Sequence, residues 1–177
     1  MDRDTNQFLI GSCDVYINSQ LAGYTADQVT VRCDRTVVGF DTGIPKMRVA
    51  SAVVAEILAV EFSFMQIDAQ TIAWAAGNDD SINPDPTSVP GSTTVWFGGK
   101  SSLGSTVELE LRGKFPDVDQ RNITVQLFKA RPNASFQMIF GSANYVGIPT
   151  VWTAEQDTTR VAGKMLGRIM IEKQDKS

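Results

Sequence analysis

Across 177 residues the sequence contains no histidine. That absence removes the commonest general base, the commonest zinc ligand and the usual partner of a nucleophilic Ser or Cys. The expectation is a protein that is not an enzyme and carries no cofactor. Cysteine is scarce too. Cys13 and Cys33 are too few for a disulfide-stapled scaffold or a thiolate metal site. No long apolar run is present: the longest, Val49 to Met65, is interrupted by Glu56 and Glu61. A membrane-spanning helix needs about 20 apolar residues. The opening Met1-Asp2-Arg3-Asp4-Thr5-Asn6-Gln7 lacks the apolar core of a signal peptide, so a soluble protein made in the cytoplasm is expected. Positive charge is in deficit, with 16 Lys and Arg against 20 Asp and Glu and a net charge of −4. No bulk positive field is there to grip nucleic acid.

What is present is a period of two. Val107, Leu109 and Leu111 alternate with Thr106, Glu108, Glu110 and Arg112 from Thr106 to Phe115, the pattern of a strand with one wet face. Cys13, Val15 and Ile17 alternate likewise, as do Val29, Val31 and Cys33. The run through Val54, Leu58, Val60, Phe62 and Phe64 is less regular but rich in β-formers. Further strands are expected at Thr93–Gly98, Ile123–Lys129, Ser135–Phe140, Tyr145–Thr153 and Lys164–Glu172. One helix is expected over about 68–77: Asp68 as N-cap, Ile67 stapled on Ile72, and Gly77 as the stop. Loops are expected at Thr36–Met47, over 78–92, rich in proline, and at Ala154–Gly163, and residues 1–8 read as a polar N-terminal arm. The sum is a single mainly β domain, a sandwich or barrel of about eight strands with one short flanking α-helix and long assembly loops.

Several constellations invite chemistry and fail a physical test. Glu108 and Glu110 share one face of one strand, whereas a glycosidase sets two carboxylates across a substrate. With Arg112 and Lys114 they read as a solvated charge ladder. Asn78, Asp79, Asp80, Asn83 and Asp85 offer oxygen ligands without the interleaving of a calcium loop. Gly98-Gly99-Lys100-Ser101-Ser102 lacks the first glycine of a phosphate loop and precedes a strand rather than a helix. Cys13 and Cys33, on strands close in sequence, are placed to face each other in a hairpin as two buried thiols, with a bond to another subunit as the alternative. Asn122-Ile-Thr and Asn133-Ala-Ser match the glycosylation triplet, which has meaning only on a secretory route.

The ordered set of these features resembles the tail tube (major tail) proteins of tailed bacteriophages. Asp14-Val15-Tyr16-Ile17-Asn18 followed by Leu21-Ala22-Gly23-Tyr24-Thr25 is similar to that family's first strand and turn, and Val29-Thr30-Val31-Arg32 stands where its second strand runs. The apolar segment to Phe64 with Gln66-Ile67-Asp68 and the helix to Gly77 is similar to its strand-then-helix passage. Ile148-Pro149-Thr150-Val151-Trp152-Thr153-Ala154 with Asp157, then Leu166 to Glu172, resemble its last two strands. The segment from Asn78 to Pro90 departs from that pattern.

The resemblance implies a structural protein of the virion. Hexameric rings stack into a hollow tube that conducts double-stranded DNA without binding it. Neighbours would be further copies of itself, a tail sheath or a tail-tip, baseplate and terminator protein. At −4 per copy a hexameric ring would carry about −24, and like charge lets phosphates slide. On this reading Glu108, Glu110 and Arg112 are lumen-facing candidates, and Phe40, Asp41, Ile44, Lys46 and Arg48 are inter-subunit candidates. Two other readings compete: a tube subunit of a contractile injection or type VI secretion system, and a monomeric β-sandwich module binding carbohydrate or protein through Trp74, Trp96 and Trp152.

Overall fold

A computed structural model describes residues 2–25, 28–42, 47–65, 68–77, 82–84, 93–95, 97, 105–114, 121–133 and 147–172. Alternating sequence becomes strand nearly everywhere. The order is β1 (Asp2–Ile10), β2 (Cys13–Ile17), β3 (Gln20–Tyr24), β4 (Val29–Thr42), β5 (Met47–Phe64), α1 (Ala69–Ala75), β6 (Ile82–Pro84), β7 (Thr93–Val95), β8 (Val107–Lys114), β9 (Asn122–Pro132), β10 (Ile148–Ala154) and β11 (Gly167–Ile171). The expected mainly β architecture with one short helix is what the described residues form.

One antiparallel sheet runs β1-β4-β5-β10-β9-β8-β2-β3, with β11 on β9, and β6 and β7 form a separate pair. The sheet curls on itself at two places. Strand β1, at one end of this order, and β2, next to the other end, are successive parts of one stretch of chain. Ile10 pairs with Val29 of β4 and Cys13 pairs with Gly113 of β8, so the bend at Gly11–Ser12 joins them. A second stitch closes β3 onto β5: Thr25 bridges Phe64, and the Met65 amide donates to the Tyr24 carbonyl at 2.8 Å. Closure of this kind pairs edges that would otherwise recruit foreign strands.

The core lies inside this curl. Val15 and Ile17 of β2, Val29 and Val31 of β4, Leu109 and Leu111 of β8, Val125 and Leu127 of β9, and Trp152 of β10 are all buried there. Each comes from the inward phase of an alternating strand, so the period of two is the physical cause of the core. The β2–β3 turn uses Asn18 (φ 49°) and Ser19 (φ 65°), the left-handed pair that a two-residue hairpin requires. Asn18 is then tied to β8, its amide donating to the Glu108 carbonyl at 2.9 Å and its Oδ1 accepting from the Glu108 amide at 3.0 Å. Helix α1 starts where Asp68 Oδ1 accepts from the Thr71 amide at 2.7 Å and is followed by Gly77 at φ 65°. It buries Ala73, Trp74 and Ala75 against the core.

Four expectations need correction or narrowing. Residues 2–8 are not an arm: they belong to β1, paired with β4 from Asp2↔Val37 to Ile10↔Val29. A polar sequence tolerates this because an edge strand is held by its main chain. Thr36–Met47 is not a loop over its whole length, since β4 runs to Thr42 and β5 begins at Met47. Gly39 suggests a turn by sequence, but register shifts at Thr36/Val37 and Phe40/Asp41 let the two strands twist and stay paired. Cys13 and Cys33 do not face each other. Cys13 pairs with Gly113, Cys33 lies between Asn6 and Leu58, and both are free thiols. The proline-rich stretch over 78–92 holds strand β6. Ser135–Phe140, Gly98–Ser102 and Ile67 lie outside the described residues. No described helix is long and apolar enough to cross a membrane.

Candidate assembly surfaces

The candidates on β8 lie in the middle of the sheet, with β2 on one side and β9 on the other. Glu108, Glu110 and Arg112 occupy the outward phase, as the alternation requires. They are occupied by neighbours. Arg112 Nε donates to Glu110 Oε1 at 2.7 Å, and its guanidinium stacks 4.2 Å from the Tyr16 ring centroid. Glu108 Oε1 accepts from Gln126 Nε2, and Gln126 Oε1 accepts from Arg168 Nε at 2.7 Å. Asp14 is opposite Arg112, and Lys114 opposite Asn122. The face therefore mixes carboxylates (Asp14, Glu108, Glu110 and Glu172, which accepts from Asn122) with cations (Arg112, Lys114, Arg168). It is a polar, near-neutral surface rather than an acidic one.

The inter-subunit candidates lie on an arm. Beyond the closed part of the sheet, β1, β4 and the first half of β5 continue outward as three strands. Phe40 and Asp41 are exposed near its end, Arg48 is in β5, and Ile44 and Lys46 are outside the described residues. Strand β10 covers the free side of β5 only from Ala59 to Phe64. Among the described residues no strand pairs with that side of β5 from Met47 to Leu58, nor with the outer side of β1. Val53 and Val54 are each 56% exposed, and Ile57 is exposed as well. The register shift leaves Val54 as the extra residue of a bulge, between Ala55↔Thr36 and Val53↔Val37.

Between this half of β5 and β11 lies an open groove of about 830 Å³. Leu58 and Leu166 extend the core to its base, and Ile169, Met165 and the Arg35–Glu56 pair, 2.7 Å apart, line it. Cys33 faces it as well, its Sγ 3.7 Å from Glu56 Oε1. Burial and then the Glu56 carboxylate push the Cys33 thiol up from its ordinary range. Cys13 is pushed up to about 11 by burial and then Asp14. Both are protonated thiols at neutral pH and poor nucleophiles.

The segment after β10 is held by one carboxylate. Asp157 Oδ1 accepts from the Thr159 hydroxyl at 2.8 Å and amide at 3.2 Å and lies 3.1 Å from Lys129 Nζ, while Oδ2 meets Arg160 Nε at 3.1 Å. Arg160 stacks 3.5 Å from the Phe128 ring centroid. The Thr159 hydroxyl first, then Lys129, hold the Asp157 carboxyl down to about 2. Sequence reading singled out Asp157 only by position; its signal, an Asp followed by Thr two residues on, is that of a local turn.

Among the described residues no group of three or more His, Cys, Asp or Glu side chains could hold a metal ion. Of the tryptophans offered as binding platforms, Trp152 is 1% exposed with Nε1 donating to Thr150 Oγ1 at 3.1 Å, Trp74 is buried under α1, and Trp96 is outside the described residues. Neither a known protein family nor a curated protein matches the chain.

Proposed function

We propose that this chain is a self-assembling structural subunit, a bacteriophage tail tube protein whose copies form hexameric rings that stack into a hollow, DNA-conducting tube. The observation that carries the reading is the long edge of β5 beside Val53, Val54 and Ile57, which no described strand covers. Monomeric β-proteins blunt such edges with lysine, proline or short strands. From Met47 to Met65 this chain has neither lysine nor proline, so the edge is suited to orderly pairing. The outer side of β1, likewise unpaired among the described residues, supplies a second edge on the same arm. Two different open edges permit head-to-tail contacts, the kind that close into rings.

Strands β1 and β5 run parallel to each other, each being antiparallel to β4. In a ring with one rotation axis, β5 of one copy would meet β1 of the next in parallel. The end of the arm, with Phe40, Asp41 and Arg48, then faces the adjacent ring. The β8 face, with Glu108, Glu110 and Arg112, is the proposed inner wall. Its near-neutral mixture would let DNA pass by offering no cationic patch, with the negative balance of the ring carried elsewhere. The tail-tip or baseplate, the terminator and any sheath would contact the assembled tube. The same geometry serves a tube of a contractile secretion system. The monomeric binding module draws no support from Trp74 or Trp152, which are core residues.

The test is negative-stain electron microscopy beside light scattering across a concentration series, for the wild type and Val54→Pro. Proline is tolerated at bulges and on edge strands and, lacking an N–H, makes that edge a poorer template for a further strand. Hollow tubes or rings of uniform width are expected for the wild type, with monomer for the variant. A wild type that stays monomeric even with a tail-tip complex added would overturn the reading.

A further inference from the structure

Strand β11 lies off the main path of the sheet and hangs on it by one neighbour. It pairs with β9 alone, from Gly167↔Leu127 to Ile171↔Ile123. Arg168, Ile169, Met170 and Ile171 are all exposed, so its hold comes from main-chain pairing and not from burial. Its other side borders the groove. The chain leading to it is held on either side of an exposed turn. Before the turn it is held by the Asp157 contacts. After it, the Asp157 amide donates to the Met165 carbonyl at 3.0 Å and the Phe128 amide to the Leu166 carbonyl at 3.1 Å, contacts that a neighbouring copy would reproduce. Asp157 fixes the chain through Arg160; after that come Val161, 73% exposed, and Gly163 at φ 81° with open space around it. The Lys164 amide, donating to the Val161 carbonyl at 3.0 Å, closes this turn.

The recognition between β11 and β9 is also fully specified. Arg168 meets Gln126, which in turn meets Glu108, and Glu172 Oε2 accepts from Asn122 Nδ2 at 2.6 Å, level with Lys114. A cation beside the Glu108 row and a carboxylate beside the Lys114 row fix direction and register. The β11 of any other copy carries the same charges in the same order.

We infer that β11 is exchanged between copies: in the assembled protein, the β9 edge at Ile123–Leu127 is covered by the β11 of a neighbouring copy. The inference rests on the self-assembly reading and specifies which strand links the subunits. Exchange preserves every β11–β9 pairing, which is why swapping an identical element is a low-cost route to association. The hinge is Val161–Lys164, and the Asp157 clamp is the fixed post from which the strand swings.

Thr124 and Met170 are opposite each other in the register and are not core residues. Their Cα atoms are about 4.5–5.5 Å apart in such a pair, within disulfide range. The test is oxidation of Thr124→Cys/Met170→Cys in a Cys33→Ser background, read on a non-reducing denaturing gel, with each single variant as control. Exchange predicts a ladder of covalent multimers from concentrated protein. A monomer band carrying an intrachain bond would overturn it. A second variant, deleting Ala162 and Gly163, makes the return to its own β9 too short. Multimers with hydrogen-exchange protection retained at 123–127 support exchange; a monomer with that protection lost opposes it. Tubes with intrachain bonds only would defeat the exchange and leave the tube reading standing. A ladder without tubes would do the reverse.

Discussion

Residues Met47–Leu58 and residues Ala59–Phe64 belong to one strand, are both rich in apolar side chains (valine and alanine in the first, phenylalanine in the second), and meet opposite surroundings. In the second stretch Val60 and Phe64 are wholly buried, with β4 on one side and β10 on the other. In the first, Val53 and Val54 are open to solvent and one edge has no described partner. What differs is the topology around β5, since β10 ends at Ala154 and β11 stays with β9. Apolar β-sequence is thus used twice, once to close a core and once to leave a surface that a further copy can cover. The stability of the single chain should belong to the closed region and the assembly behaviour to the open one.

The largest expected contrast is between two aliphatic truncations. Leu109→Ala empties a fully buried site and should cost about 2–5 kcal/mol. Val53→Ala on the arm should change monomer stability by no more than about 0.5 kcal/mol while weakening self-association. Urea unfolding followed by circular dichroism, at concentrations where scattering reports monomer, gives both numbers. Equal costs at the two sites would mean that the arm is already covered in the monomer.

A smaller contrast separates two glycines. A Cβ on Gly113 would lie 2.5 Å from Cys13 Sγ and 3.2 Å from the Ser12 carbonyl, where β1 turns into β2. Gly113→Ala should therefore strain the closure and cost about 1–3 kcal/mol globally. A Cβ on Gly167 would strike the Gln126 carbonyl and Leu58. Gly167→Ala should loosen β11 while leaving the barrel intact, so hydrogen exchange should quicken at 167–171 and hold steady in β2 and β8. Loss of protection throughout in Gly167→Ala would place β11 inside the cooperative core and count against its exchange.

These contrasts also mark what was legible in the sequence. Alternation identified the inward residues of β2, β8 and the start of β4, and Asp68 with Gly77 bounded α1, because those signals are local. It misread residues 2–8 and 36–42, where pairing with a long neighbour holds polar or glycine-containing segments extended against their own preference. The Cys13–Cys33 expectation failed because nearness in sequence does not determine which strands are neighbours. The open edge of β5 was illegible for the same reason: an edge is defined by where the next strand stops. Glu108, Glu110 and Arg112 were correctly placed on a wet face and Arg112 pairs with Glu110 within the strand, but Arg168, which reaches Glu108 through Gln126, comes from a distant strand.

Asp157 tests the comparison at the border between the closed and open regions. Its lowered pKa means that the ionised form is favoured by folding. The stabilisation is fully present above the ordinary carboxylate range near pH 4 and is lost as pH falls through about 2. Asp157→Asn should lower the melting temperature by a few degrees at pH 7. Its melting temperature should also fall less than that of wild type between pH 4 and pH 2. If the two profiles stay parallel over that range, the clamp does not depend on the charge, and the fixed post proposed for β11 loses its basis.

The smallest effect on stability is expected at the β8 face, where the ion pairs are partly exposed. Glu108→Gln with Glu110→Gln should shift monomer stability by no more than about 1 kcal/mol and leave tube growth intact. Its consequence is electrostatic. Asp14 and Glu172 would remain against Arg112, Lys114 and Arg168, and a hexameric ring would lose about twelve negative charges from one face. If that face lines the lumen, variant tubes should retain linear double-stranded DNA at low salt and release it as screening rises. Circular DNA separates the two possible positions of the face, because it has no end to thread. Retention of linear DNA alone would put β8 on the inner wall. Equal retention of linear and circular DNA would put it on the outside, and the lumen would then be assigned to a face of the β1-β4-β5 arm.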